Sequence, residues 1–512
     1  MKSAPANRIP SLDRLRETAN TSWTGLAAKV FSFPVMCMFL LASVIFAYSP
    51  RGIGIAEPDI WWRLRDARDL LQYHSLARVD TYSFTAAGSP WLNVEWLSDV
   101  PFFLAFRAKG LQGMVALYSA VMVLIFAGVY YRACRAGADC KNAAVATLAG
   151  ICLGCISLAP RPLLFGWLCL MGLLLVLDQF RRSGKGLWLL PPLFVLWINL
   201  HGSWVFGMVV LGVTIASGML EGEWGLVVAH RWTPVELKKL LLALCASLAA
   251  LFVNPFGYKL VLFPFEFFRM QGVMHYVEYW RPVDFSTWNG KLALILIFVL
   301  LTAALFSRRR WRLDEVMLMA FALWEALSHV RFLDFAALIM VPILAPRLNL
   351  FPPYERELDK PWLNAAIMAA VAAGIIFFFP SATQLQQRVD EEYPTAALQY
   401  MQRQHINGRI FNPGEFGGFM EWNAPELKSF IDGRDAIFVH NGTFDDCYSA
   451  LTMRQPFNVL DKYRIDYVLL EPTWPLAYLL DHSPAWRTIY EDKVAKLYQR
   501  APAAATTLRG SR

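Results

Sequence analysis

Two carboxylates, Glu57 and Asp59, flank one proline in the run Glu57-Pro58-Asp59-Ile60-Trp61-Trp62-Arg63-Leu64. A carboxylate held at a boundary with water can act as a general base. Two neighbouring hard-oxygen donors can also share a divalent cation such as Mg²⁺ or Mn²⁺, although two ligands alone do not define a metal site. Asp80 and Glu95 follow, and then Arg161, His201, Lys259, Glu278, Arg281 and Arg331, each in or beside a short break between apolar runs. Arginine suits bidentate contact with a phosphate, whereas Lys259 offers a point charge.

Each of these residues also has a plain structural reading. Glu57 and Asp59 can cap a helix, since acidic groups favour the first turn. Asp80, before Thr81 and Ser83, has the form of a turn residue. Arg161-Pro162 can open a helix with its guanidinium at the lipid headgroups, and His201-Gly202 can be a tight turn. Arg331 and His329 can be interfacial anchors. Asp432-Gly433-Arg434-Asp435 reads as a turn with surface charges, and Asn441-Gly442-Thr443 fits a glycosylation sequon.

The elements that must position these residues follow from composition. Of 512 residues, 56% are hydrophobic and 17% charged, and mean hydropathy is +0.37. A soluble chain carries about 25% charged residues, so the expected solvent is a bilayer. The net charge of +8, from 48 basic against 40 acidic residues, is spread among short loops. Nucleic-acid binding would need it gathered beside exposed aromatics. The eight cysteines lie mostly in or near apolar runs and imply no disulfide framework, and the Cys152/Cys155 pair reads as packing.

A membrane span needs about 20 apolar residues. Clear candidates cover 33–49, 111–132, 143–159, 163–179, 203–220, 238–253, 290–307 and 363–380; less clean are 187–200, 314–328 and 332–346. With the N-terminus inside, about eleven spans leave every inner loop basic, as the positive-inside rule requires. Those loops hold Arg132, Arg135 and Lys141; Arg181, Arg182 and Lys185; Arg231, Lys238 and Lys239; Arg308, Arg309, Arg310 and Arg312; and Arg347, Arg356 and Lys360. The candidate chemical residues then all fall on the opposite, outer side. A transporter would instead bury ionisable groups near midplane.

The expected organisation is a cytoplasmic head (1–32), an all-α polytopic membrane domain (33–380) with a long first outer loop (50–110), and an outer α/β domain and tail (381–512). Asp59 to Tyr73 places Ile60, Leu64, Ala67 and Leu71 at helical spacing and predicts an interfacial amphipathic helix, with a second from Trp96 to Ala108. In the tail, short apolar strands are expected at Arg409 to Phe411, Ser429 to Ile431 and Tyr467 to Leu470, with helices near 394–404 and 475–481. A unit of about 115 residues is large enough to fold alone.

The first-loop motif continues in Asp80-Thr81-Tyr82-Ser83-Phe84-Thr85, Gly88, Trp91 and Glu95-Trp96-Leu97. With Arg161-Pro162-Leu163-Leu164-Phe165, Asn199-Leu200-His201-Gly202, Asn254-Pro255-Phe256-Gly257, Glu278-Tyr279-Trp280, His329-Val330-Arg331-Phe332 and Phe430-Ile431-Asp432-Gly433-Arg434, it resembles bacterial members of the GT-C glycosyltransferase superfamily. The branch is that of the dolichyl-phosphate-mannose protein mannosyltransferases and the RgtA/B/C/D-like proteins. The chain departs from the family pattern at Arg63, where that pattern has His.

The resemblance implies a GT-C-like membrane transferase in a bacterial inner membrane. It would move a sugar from a polyprenyl-phosphate carrier to an envelope acceptor (glycan, lipid or protein) at the periplasmic face. Glu57 and Asp59 match the superfamily's catalytic acidic motif, with Asp59 the first candidate base. Asp80, Glu95, Arg63, Arg161, His201, Lys259, Glu278, Arg281 and Arg331 become substrate-binding candidates, since the departing lipid phosphate needs positive charge and donors. Trp61 and Trp62, like Trp91, Trp96, Trp204 and Trp280, could stack on the sugar or first isoprenes, or form an ordinary interfacial belt. The alternatives are a ligase or polymerase of lipid-linked glycans, and a non-catalytic transporter or assembly scaffold.

Overall fold

The computed structural model describes residues 23–49, 57–154, 159–267, 269 and 280–502. Glu278, Cys155 and the basic residues of the N-terminal head, Lys2, Arg8, Arg14 and Arg16, lie outside the described residues. The seven cysteines within them are free thiols. The protein is predominantly helical with few strands. Each apolar segment expected to span is a helix in all or most of its length, because a run of that size satisfies its backbone locally.

Three helices, Trp96–Arg135, Leu163–Ser183 and Pro361–Phe378, are long and apolar enough to cross a membrane. Shorter apolar helices include Phe33–Tyr48, Cys140–Gly154 and Trp204–Ser217. Leu333–Leu344 is buried at every position, as a helix apolar on all sides must be. In Pro361–Phe378 only Asn364 is buried, while Ile376, Phe377 and Phe378 are about 80% exposed. Such a surface is suited to lipid rather than water. Trp96–Arg135 is interrupted at Lys109 and Gly110, where Gly110 has φ 58°. Glycine adopts this left-handed region without a Cβ clash, and the break separates the expected 96–108 helix from the long one.

The basic loops expected on one side do meet at one end. Arg132 pairs with Asp178 at 2.8 Å, Arg181 with Asp314 at 2.6 Å and Arg347 with Glu315 at 3.0 Å. Lys141 and Lys239 donate to the carbonyls of Pro352 and Gly184. Arg161 precedes Leu163–Ser183 and Arg181 closes it, so the candidate site and this cluster are separated by about 30 Å of helix.

The helix Asp59–Tyr73 forms with the expected limits but not in the expected place. Ile60, Trp61, Trp62, Arg63, Leu64, Asp66 and Ala67 are all buried, because the helix is wedged between Trp96–Arg135 and the tail helix Gly414–Asn423. Trp61 packs edge-on against Tyr393 (5.6 Å) and Phe419 (5.0 Å). A Cβ on Gly418 would sit 3.0 Å from the Pro58 carbonyl oxygen, so the two helices approach at glycine distance.

In the tail a four-stranded sheet has the spatial order Ile410–Phe411, Tyr467–Leu470, Lys496–Arg500, Trp486–Glu491, its first pair parallel and the rest antiparallel. The last two strands form a hairpin that the sequence reading did not include. Ser429 to Ile431 is not a strand of this sheet. It pairs with the first loop instead: Ser83 bridges Ser429, and Phe84 N–H and the Thr85 hydroxyl donate to the carbonyls of Ser429 (3.0 Å) and Phe430 (2.5 Å).

Nor is the tail a self-contained unit. One apolar core runs from the helical bundle into Leu385, Val389, Leu398, Met401 and Phe416. A second, around Phe411, Phe430, Phe438 and Val468, takes in Ala86 with Phe84 and Trp91 of the first loop. Ending the chain at residue 380 would therefore strip one face of Asp59–Tyr73. The truncated protein is expected to lose its monodisperse peak in size-exclusion chromatography, whereas a stable monodisperse truncation would show that the shared core is dispensable.

Candidate active site

Helix ends bring the predicted residues together. Glu57 and Asp59 start Asp59–Tyr73, Glu95 precedes Trp96–Arg135, and Arg161 stands two residues before Leu163–Ser183. His201 terminates Leu190–Leu200, and Arg331 lies in the 3₁₀ turn Val330–Phe332. All six line one cavity of about 280 Å³, together with Trp62, Arg63 and, from the tail, Arg434 and Asp435.

The first loop is locked to its neighbours by side-chain bonds. Trp96 Nε1 donates to Asn199 Oδ1 at 3.0 Å, Asn199 Nδ2 to the Val253 carbonyl at 3.0 Å, and the Ser98 hydroxyl to the Leu200 carbonyl at 2.7 Å. His201 Nδ1 accepts from the Ser203 backbone N–H at 2.9 Å. This assigns the ring proton to Nε2, which lies 3.0 Å from Glu95 Oε1.

Charge distribution in the cavity follows from how Arg63 divides itself. Its guanidinium is 2.6 Å from Glu95 and 3.3 Å from Asp99, but 3.9 Å from Asp59. Burial alone would raise Glu95; Arg63 and His201 outweigh it and hold that carboxyl at about 2. Asp59 receives the weakest share of Arg63. Burial dominates at Asp59, with help from the nearby Glu57 charge, and the carboxyl is pushed up to about 7 despite a 3.2 Å bond from Trp62 Nε1. Glu57 is engaged by Arg161.

Arg434 organises the other wall. It makes two bonds to Asp432, at 2.6 and 2.8 Å, and one ion pair to Asp80 at 2.6 Å, all in side chains with at most 1% exposure. Asp80 is also a turn residue, accepting from Ser83 Oγ at 2.7 Å. The sequence reading of Asp432-Gly433-Arg434-Asp435 as surface charges is thus corrected: Asp432 and Arg434 are buried. Burial opposes the charge on Asp432, but Arg434 keeps that carboxyl below the ordinary range. Glu421, farther away at 3.8 Å, is pushed well above it by burial.

Gly433 admits Asp59 to this wall. A Cβ there would stand 1.7 Å from Asp59 Oδ1, so no other residue fits without moving the carboxylate. Asp435, like Arg434, lines the cavity although the sequence reading placed it only in a charged turn. Its carboxylate lines the cavity and has no hydrogen-bond or ion-pair partner among the described residues, and burial followed by the Asp59 charge pushes it well above the ordinary range. The available signal was the adjoining Phe430-Ile431-Asp432-Gly433-Arg434 stretch.

Other candidates are placed elsewhere. Trp61 packs into the tail and Asp80 stands behind Arg434. Lys259 is exposed after the Asn254-Pro255-Phe256-Gly257 turn, where Asn254 Oδ1 accepts from Phe256 N–H at 2.8 Å. Arg281 is exposed outside the cavity lining. Arg331 stacks on Trp280 at 4.0 Å, and its Nε has no hydrogen-bond partner among the described residues.

Four carboxylates (Glu57, Asp59, Glu95, Asp435) face four guanidiniums (Arg63, Arg161, Arg331, Arg434). Burial disfavours the charge on Asp435, and guanidiniums in a partly apolar cavity suit an anion. Val205, Phe206, Phe263 and Phe267 line the same cavity, so a ligand with an anionic head and an apolar chain matches both parts. Among the described residues no three His, Cys, Asp or Glu side chains are placed to hold a metal ion. Glu57 and Asp59 do not form such a site by themselves.

Comparison with protein-family models gave no match, and comparison with curated proteins gave none.

Two outcomes follow from these charges. Arg434→Met strands buried Asp80 and Asp432 and is expected to cost about 3–5 kcal/mol, read as a large fall in thermal midpoint. Asp59→Asn is expected to stabilise the fold. The folded-state carboxyl titrates near 7 and the unfolded one near 4, so the penalty grows as pH rises between these values and is full above 7. The variant's gain in thermal midpoint should be present at pH 8 and absent at pH 4; a gain independent of pH would show that Asp59 carries no such penalty.

Proposed function

We propose that the protein is a glycosyltransferase of GT-C type that moves one sugar from a polyprenyl-phosphate carrier to a hydroxyl of an envelope acceptor. On this reading the chain is a polytopic protein of the bacterial inner membrane with about eleven spans. The basic loops face the cytoplasm, and the cavity and tail face the periplasm. The observation that supports it best is Asp59, a cavity carboxylate pushed up to about 7 beside the guanidiniums of Arg161 and Arg331 and an apolar flank.

The chemistry needs little more. Asp59 accepts the proton of the acceptor hydroxyl as that oxygen forms its bond to the anomeric carbon. The carbon–oxygen bond to phosphate breaks, and its electron pair leaves on the phosphate oxygen. A base titrating near working pH is well matched to this step. Arg161 and Arg331 stabilise the phosphate, which is already anionic and needs no proton. Arg63 keeps Glu95 ionised, and Glu95 in turn orients His201.

Cavity size favours a single sugar over a preassembled glycan. Ligand sites span roughly 300–1,000 Å³, and about 280 Å³ holds a sugar and phosphate head while leaving the isoprenoid chain against the apolar flank.

The test is transfer by purified protein in nanodiscs, with a panel of polyprenyl-phosphate sugars and a crude envelope acceptor fraction. Wild type is expected to transfer. Asp59→Asn is expected to bind carrier but lose about 10²–10⁴-fold in rate. The wild-type kcat/KM should rise with pH and level off above about 7, because the base must be unprotonated. Undiminished transfer by Asp59→Asn would falsify the assignment of the base, and no transfer across the panel would favour a ligase or scaffold.

A further inference from the structure

At the end of the bundle opposite the candidate site, another cavity of about 190 Å³ lies between helices Trp96–Arg135, Leu163–Ser183, Trp204–Ser217, Leu313–Ser328 and Leu333–Leu344. Its lining carries five arginines, Arg132, Arg135, Arg181, Arg182 and Arg312, against the three carboxylates of Asp178, Asp314 and Glu315, a formal surplus of two positive charges.

The carboxylates are already engaged. Asp178 pairs with Arg132 at 2.8 Å, Asp314 with Arg181 at 2.6 Å and with Arg312 at 2.9 Å, and Glu315 with Arg347, from outside the lining, at 3.0 Å. Arg135 and Arg182 have no ion pair among the described residues, so the surplus is theirs. Arg132 adds a free edge. Asp178 takes its Nε and Nη2, while Nη1 is buried and has no hydrogen-bond partner among the described residues. A buried donor without a partner is costly and calls for an explanation. The remaining wall is apolar, with Leu174, Leu177, Val210, Leu318 and Ile343. A free inorganic anion would satisfy the arginines and leave that wall wet, whereas an anionic head on acyl chains matches both. The volume is below the roughly 300 Å³ at which sites for whole small molecules begin, so it takes a head and leaves the chains outside.

We propose that this cavity binds the head of one anionic phospholipid, its phosphate held by Arg135, Arg182 and the Nη1 edge of Arg132, and its acyl chains left in the surrounding bilayer. Guanidiniums meet phosphate oxygens in a planar fork, and basic pockets between spanning helices select anionic heads over zwitterionic ones. The bound head ties Trp96–Arg135 to Leu163–Ser183, the two helices whose opposite ends start beside Glu95 and Arg161. Only the choice of the inner leaflet rests on the orientation proposed above; binding itself does not rest on the transferase reading.

The probe is dioleoyl phosphatidylglycerol, titrated into the full-length protein in detergent and counted by native mass spectrometry. Phosphatidylcholine of the same chains is the zwitterionic control and glycerol phosphate the chainless one. One phosphatidylglycerol is expected to bind at least about tenfold more tightly than phosphatidylcholine, and glycerol phosphate at equal concentration should not displace it. Arg135→Gln and Arg182→Gln remove exposed side chains and leave no carboxylate unpaired, and each should weaken phosphatidylglycerol about fivefold. Lys185→Gln, exposed just beyond Arg182 but outside the cavity, should leave the affinity unchanged. Equal affinity for the two lipids overturns the anionic head, and displacement by glycerol phosphate overturns the lipid. An equal loss in Lys185→Gln shows general attraction to the basic loops and overturns the site. Every readout is binding, so a failed transfer assay leaves this proposal standing and a failed titration leaves the transferase reading standing.

Discussion

Arg63 sets the charge pattern of the cavity by pairing unequally with three carboxylates. One guanidinium serves Glu95 at 2.6 Å, Asp99 at 3.3 Å and Asp59 at 3.9 Å. Glu95, which also has His201 beside it, stays ionised far below neutrality, whereas at Asp59 burial wins and the carboxyl is pushed up to about 7. A tighter Asp59–Arg63 pair would lower Asp59. Its absence would leave three carboxylates in one buried corner, too much like charge for all to ionise. The same arginine lies over Trp62 at 4.4 Å, which fixes the plane from which it reaches all three.

That arrangement depends on a helix whose first half is covered on two sides. Asp59–Tyr73 is held between the bundle and the tail, and its two sides serve different ends. Trp61 anchors the tail, while Trp62 and Arg63 face the cavity. The tail is fastened a second time by Arg434, which joins Asp432 of its own turn to Asp80 of the first loop. Buried ion pairs add little net stability but cost a great deal when one partner is lost, so their value here lies in fixing one docking position. Gly433 shows how narrow that position is, since Asp59 occupies the space a side chain would need.

Local order was legible in the sequence. Apolar runs of sufficient length become helices because each satisfies its own backbone, and Asp59–Tyr73 was legible from its apolar spacing. Glu57, Asp59, Glu95, Arg161, His201 and Arg331 were also legible as a group, since each sits at a helix end on the same side of the chain's alternation. The tertiary structure decided what those helix ends touch. Spacing could not show that Asp59–Tyr73 would be covered by Gly414–Asn423 rather than lie on a surface. Nor could it show that Asp435 would reach the cavity, or that Asp432 and Arg434 would be buried, because a charged turn has the same sequence whether or not another element covers it. Helix formation follows from interactions within a few residues; burial, ion-pair partner and carboxyl affinity for protons depend on segments hundreds of residues apart, and only their packing sets the distances that decide them.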